Sequence, residues 1–223
     1  MIKVYQFLRS SVKVKHDALE VLNAARTLFT LKEISAMVGV RESLLSRYAS
    51  GEVAPSRERA EAMLEALTKH DFLKEFLRRG LKKEGWSFPS LIGRPDFLEL
   101  VSMYIYSMIL DVVAGTRLDA VVTFKDESSL LASLVSTRLD VRVVTLDEGD
   151  VRGSVKTSFL SRVLRRSRPI CVAVSGVFDS VKASLLQELT EVGVEVRAIA
   201  TVLLMDPDAL GKLSSSEIIS LLP

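Results

Sequence analysis

Two short stretches of this sequence place polar side chains where a small anion could be held. Lys125-Asp126-Glu127-Ser128-Ser129 and Ser175-Gly176-Val177-Phe178-Asp179-Ser180 each follow an apolar run and lead into a helical one. Helix N-termini present unpaired amides and the positive end of a dipole, so both stretches suit a phosphate or a carboxylate. The candidate ligand residues are Lys125, Ser128, Ser129, Ser175, Gly176, Val177, Phe178, Asp179, Ser180 and Lys182. A third stretch, Arg41 to Ser50, puts Arg41, Glu42, Ser43, Ser46 and Arg47 on the outward side of a short helix whose inward side holds Leu44, Leu45 and Tyr48. An arginine fork fits guanine O6 and N7, a carboxylate accepts from cytosine N4, and each good pair discriminates by about 1–3 kcal/mol. Arg57 and Arg59, at the start of the next helix, are placed to touch phosphates, which positions a protein without reading sequence.

Acid–base and metal chemistry have little to work with. His16 and His70 stand far apart, neither with a serine, cysteine or carboxylate constellation around it, so capping or surface roles are expected of both. Cys171 is the single cysteine and lies inside an apolar run, which reads as a small buried hydrophobe. One cysteine supports neither a disulfide framework nor a multi-cysteine zinc site. No catalytic residue, metal site or cofactor is expected.

Composition bounds the class. The 223 residues are 48% hydrophobic and carry 30 Lys+Arg against 28 Asp+Glu, which excludes wholesale disorder and a strongly basic tail protein. The most apolar helical stretch, Val101 to Leu110, ends at Glu99 and Asp111 and falls short of the roughly 20 residues of a membrane span. A cytoplasmic, reducing setting is expected. Asn23 is the only asparagine, and Gln6 and Gln187 are the only glutamines, a depletion of thermolabile amides that points to a thermophile.

Charge and periodicity divide the chain. Residues 1–85 hold 16 basic against 11 acidic side chains, and the remainder holds 14 against 17. The change falls at Gly85-Trp86-Ser87-Phe88-Pro89, just before Gly93 and Pro95, where glycine and proline punctuate elements. The expected domains are 1–85, all helical, and 86–223, an α/β unit.

The first domain reads as short helices. Ala18, Leu19, Leu22, Ala25 and Leu28/Phe29 form one apolar stripe. Thr30-Leu31-Lys32-Glu33 has capping-box spacing and opens a second helix, with Ile34, Met37 and Val38 inward and Gly39-Val40 at its end. The third runs about Arg41 to Ser50 and stops at Gly51; Ser56 caps a fourth that buries Ala60, Met63, Leu64 and Leu67. The run from Leu31 to Tyr48, continued by Ser50-Gly51-Glu52-Val53-Ala54-Pro55-Ser56, resembles the Cro/lambda-repressor class of helix-turn-helix over roughly residues 16–70. It departs at Arg41, where that class usually has a small polar cap. The resemblance implies double-stranded DNA as partner, with the Arg41–Ser50 helix in the major groove. The charges of Arg78, Arg79, Lys82 and Lys83 in the following amphipathic helix read as a solvated face.

The second domain alternates apolar strands with helices. A helix from about Asp96 to Ala114 precedes strands at Asp119–Phe124, Val141–Leu146, Pro169–Val174 and Val196–Met205, with helices at Ser129–Arg138 and Val181–Val192. A charged loop, Asp147 to Gly153, and a further helix separate the second and third strands. Such runs predict a parallel sheet covered on both faces, with any ligand outside the carboxyl ends of its strands. Met103-Tyr104-Ile105-Tyr106 and Met108 read as core or dimer interface.

Over roughly residues 96–206 this half resembles the type I phosphoribosyltransferase fold, best along Ile170 to Val196. Ser175-Gly176 stands where that family has an acidic pair gripping the ribose hydroxyls, and Asp179-Ser180-Val181-Lys182-Ala183 replaces its small-residue phosphate cradle. The stretch aligned with the mobile catalytic loop is largely acidic and repels pyrophosphate. The two resemblances together imply a non-enzymatic, dimeric transcription regulator, like archaeal regulators of this layout, whose second domain senses a nucleotide or phosphoribosyl metabolite. The alternative is a phosphoribosyltransferase-type enzyme of nucleotide metabolism with a divergent donor-binding loop.

Overall fold

The computed structural model describes residues 11–84, 90–91, 93–147, 169–206 and 216–222. The chain folds as two compact units, Met1–Tyr104 and Ile105–Pro223. The division falls inside a helix, downstream of the Gly/Pro-punctuated stretch at which the sequence changes character.

The first unit is helical: α1 (Ser11–Ala25), α2 (Leu31–Val38), α3 (Glu42–Ala49), α4 (Arg57–Leu67), α5 (His70–Glu84) and most of α6 (Pro95–Val112). α1 buries Val14, Ala18, Val21, Leu22 and Ala25. Thr30 begins α2 with the expected reciprocal cap: its hydroxyl accepts from the Glu33 amide at 3.3 Å, and the Glu33 carboxylate accepts from the Thr30 amide at 2.8 Å. Two otherwise unpaired backbone donors are thereby satisfied. Gly39 ends α2 at φ 69°, a left-handed conformation that costs a side-chain-bearing residue dearly and glycine nothing. That turn swings the chain into α3, which buries Leu45 and Tyr48 and half-buries Leu44. Ser56 caps α4 by accepting from the Arg59 amide, and Ala60, Met63, Leu64 and Leu67 are its buried stripe.

Met37 departs from expectation. It is 39% exposed, because the eight-residue α2 buries only Ile34 and leaves its last turn standing proud of the neighbouring helices. Arg79 departs in the opposite direction. Instead of joining a solvated face it lies 4.0 Å over the Phe29 ring, pairs with Glu33 at 2.8 Å and Glu75 at 2.9 Å, and donates to the Leu28 carbonyl. Phe29 also stacks on Phe76 and meets Phe72 at a tilt, both on α5, so one cation and three rings hold α5 against the α1–α2 junction.

The second unit is a five-stranded sheet in the order β2-β1-β3-β4-β5, with every pairing parallel. The strands are β1 (Ala120–Phe124), β2 (Arg142–Leu146), β3 (Ile170–Phe178), β4 (Glu195–Leu204) and β5 (Glu217–Leu222), with α7 (Ser128–Leu139) after β1 and α8 (Ser180–Glu191) after β3. From β1 the chain crosses one way to β2, and from β3 the other way to β4. Right-handed crossovers in opposite directions put α7 on one face and α8 on the other. The core agrees: Ala183, Leu185, Leu186 and Leu189 of α8 pack on Ala120, Val122, Phe124, Cys171 and Ala173, a cluster that no α7 side chain joins.

Two features differ from the sequence reading. β5 is an additional strand; its run Glu217-Ile218-Ile219-Ser220-Leu221-Leu222 is short and gains strand character only by pairing with β4. β3 also continues four residues beyond Val174, so Ser175, Gly176, Val177 and Phe178 are strand and not loop, held by pairing of Ser175–Phe178 with Thr201–Leu204. The expected helix between β2 and β3, and Glu148–Gly153 of the acidic stretch, lie outside the described residues.

Candidate functional site

In the first unit α3 turns one side to solvent and the other to the core. Arg41, Glu42, Ser43, Ser46 and Arg47 are all exposed along one side of α3, while Leu45 and Tyr48 anchor the other side. Arg41 occupies the N-cap position, where its donor-only guanidinium cannot cap the helix amides, and is exposed. Arg47 Nε lies 3.4 Å from Glu52, which the sequence reading quoted in the run after the helix without a role; the Ser50 hydroxyl donates to the same carboxylate at 3.0 Å. Both Arg47 and Glu52 are more than half exposed, so this pair orients the arginine more than it sequesters it. Arg59 donates to the Tyr48 hydroxyl at 3.2 Å, linking α4 to the buried side of α3, and Arg57 pairs with Glu61 at 2.8 Å one turn along α4. A short capped helix, a glycine turn and a second helix exposing its leading side chains define a helix-turn-helix DNA-binding module.

Comparison with known proteins agrees on this class. Residues 24–70 match the family model described as helix-turn-helix. No curated protein matches the chain. Among solved structures, the chain is similar to an adenine phosphoribosyltransferase at TM-score 0.46 and 11% identity, covering 61% of this chain and 86% of that one. It is also similar to the adenine phosphoribosyltransferase from Saccharomyces cerevisiae, at TM-score 0.48 and 12% identity, covering 61% and 85% of the two chains. For the adenine phosphoribosyltransferase from Thermoanaerobacter pseudethanolicus the TM-score is 0.43 and the identity 16%, covering 60% and 84%.

In the second unit the sheet order reverses between β1 and β3, the topological switch point at which open α/β sheets leave a crevice. The two strands pair from Ala120–Val122 against Cys171–Ala173 and then part. Beyond that point the Ser128 hydroxyl at the start of α7 accepts the Gly176 amide at 2.8 Å, bridging the gap.

The crevice already holds a charge. Lys182, in the first turn of α8, is buried, and its Nζ donates to Asp126 Oδ2 at 2.5 Å and to the Val177 carbonyl at 2.6 Å. It also lies 3.4 Å from the Ser175 hydroxyl and 5.3 Å from the Phe124 ring centroid. Burial pushes the Asp126 carboxyl up, but the bonds from Lys182 and Ser128 outweigh it and hold the carboxyl below its ordinary value. Asp126 Oδ1 accepts the Ser128 amide at 2.8 Å, and Asp179 Oδ1 accepts the Lys182 amide at 3.0 Å. Each helix N-terminus at the crevice is therefore occupied by a carboxylate of this chain.

The candidate ligand residues are brought to one end of the sheet but not to one environment. Ser128, Ser175, Gly176, Phe178 and Lys182 are buried, Ser129, Val177 and Asp179 are half-buried, and Lys125 and Ser180 are exposed. Lys125 pairs with Asp147 at 2.5 Å across the β1–β2 edge. Sequence reasoning quoted Asp126 within its loop but missed its role, since nothing local announces a lysine 56 residues away as its partner.

Elsewhere, His70 Nδ1 meets the Tyr104 hydroxyl at 3.1 Å, and burial pushes that hydroxyl's ionisation up. The Cys171 thiol is buried and pushed up to about 12, chiefly by desolvation. His16, Asp17 and Glu20 on α1 bring potential metal-ligating atoms within 4.8 Å of one another, His16 exposed, its i,i+4 partner Glu20 half-buried and Asp17 buried. Among the described residues no helix is long and apolar enough to cross a membrane.

Proposed function

We propose that this protein is a cytoplasmic, sequence-specific DNA-binding transcription regulator whose second unit dimerises and senses a nucleotide or phosphoribosyl metabolite without catalysing a reaction. The observation that carries the reading is the exposed face of α3, where Arg41, Glu42, Ser43, Ser46 and Arg47 stand clear of a packed helix-turn-helix. Arg57 and Arg59 are proposed as phosphate contacts. A dimer would set two α3 helices against half-sites about 34 Å apart, one helical turn of DNA. An effector shifts operator affinity only by binding one dimer geometry better than the other.

The non-catalytic reading is supported by Ser175-Gly176, which offers no carboxylate pair at the crevice, and by Lys182, which fills it. The direct test is an electrophoretic shift on the DNA flanking the protein's own gene, with and without purine and pyrimidine nucleotides. Retardation of a specific duplex at moderate salt, altered by one nucleotide class, is the expected result, and no specific retardation would remove the regulator reading. Turnover assays with phosphoribosyl pyrophosphate and a panel of bases test the enzymatic alternative, for which no product is expected.

A further inference from the structure

We propose that the Lys182–Asp126 ion pair is an intramolecular latch that keeps the β1–β3 crevice closed to anions until one competes for the lysine; this rests on reading the second unit as the sensor. The pair joins the first turn of α8 to the β1–α7 loop, elements 56 residues apart in the chain. The lysine side chain is 11% exposed and its partner 26%, so an ammonium has been taken largely out of water. Burying an ion pair is commonly no better for stability than an apolar pair of the same volume, so its presence needs another reason.

Three donors at this crevice are already bonded to carboxylates of the chain itself. The Ser128 amide is bonded to Asp126, the Lys182 amide to Asp179, and the Lys182 ammonium to Asp126. Lys182 also has partners that need not leave: the Val177 carbonyl and the Ser175 hydroxyl anchor Nζ at the carboxyl end of β3. If Asp126 departs, the ammonium stays in place and faces the opening. Among the described residues Asp126 is thus the one charged partner of Nζ that an entering phosphate must displace, and its departure also frees the Ser128 amide in the first turn of α7.

The test is calorimetric titration of the full-length protein with inorganic phosphate, comparing wild type, Asp126→Asn, Asp126→Ser, and Asp126→Asn combined with Lys182→Met. Serine keeps an acceptor for the Ser128 amide and so guards against leaving that donor unmet. A latch predicts that the folded Asp126 variants bind phosphate at least tenfold more tightly than wild type, and that the double variant loses this gain. A folded Asp126 variant no tighter than wild type overturns the proposal, as does a gain that survives Lys182→Met. Should both single variants fail to fold, the pair is a folding element and the latch is likewise overturned. Adenosine and uridine monophosphates titrated into wild type report on the sensor reading separately. A phosphate gain in the variants beside a wild type indifferent to nucleotides keeps the latch and removes the nucleotide effector. Tight nucleotide binding by wild type with no gain in the variants does the reverse.

Discussion

At the scale of single residues, the two units spend their polar side chains differently. Arg41 and Arg47 face outward from α3, and Arg47→Ala is expected to weaken binding to the protein's own site by about 1–3 kcal/mol while barely changing binding to random duplex. Arg59→Ala should instead weaken both alike and lower the salt dependence by about one counterion. Competition gel shifts at several salt concentrations separate the two patterns. In the sheet, Thr123 is fully buried, and its hydroxyl is the one buried side-chain oxygen or nitrogen among the described residues without a hydrogen-bond partner. An unmet buried hydroxyl costs about 1–3 kcal/mol, and valine keeps the β-branched shape. Thr123→Val is therefore expected to raise the urea midpoint, by a stability gain of about 1–2 kcal/mol.

At the scale of elements, the α2 cap does two jobs through one carboxylate. Glu33 closes the box with Thr30 and also receives Arg79 from α5, so the start of α2 and the packing of α5 depend on the same charge. The bond from Arg79, then those from Thr30, hold the Glu33 carboxyl down at about 2, against an ordinary 4.5. Bonds from Arg78 and Arg79 likewise hold Glu75 at about 2. A carboxyl depressed in the folded state stabilises it above the unfolded value, and that contribution drains away as pH falls toward the folded one. The helical unit should lose stability between about pH 4.5 and about 2, and Glu33→Gln should flatten this dependence while lowering stability at neutral pH. Urea midpoints across that range, followed by helical circular dichroism, check both.

At the scale of the whole molecule, the boundary matters for what folds alone. In the first turn of α6, Asp96 takes hydrogen bonds from Arg94 and Thr27, and the Tyr104 hydroxyl reaches His70, so the first half of α6 belongs to the helical unit. A fragment of residues 11–112 should melt cooperatively and at a higher temperature than one of residues 11–84, which loses the buried Phe97, Leu100, Val101 and Tyr104. Differential scanning calorimetry of the two compares them directly.

Much of this was legible in the chain itself. Thr30 with Glu33, Gly39 and Ser56 with Arg59 mark helix ends by contacts three or four residues long, and local contacts of that reach are written in spacing. The alternation of buried strands and helices likewise foretold a parallel sheet with α7 and α8 over it. The sequence by itself determined which side of α3 faces out, because periodicity acts within a turn or two. Only the tertiary structure decided that Arg79 is a clamp, that Ser175–Phe178 is strand, that Glu217–Leu222 joins the sheet, and that Lys182 fills the crevice. Each depends on a partner tens of residues away, and no local rule names that partner until the chain has folded.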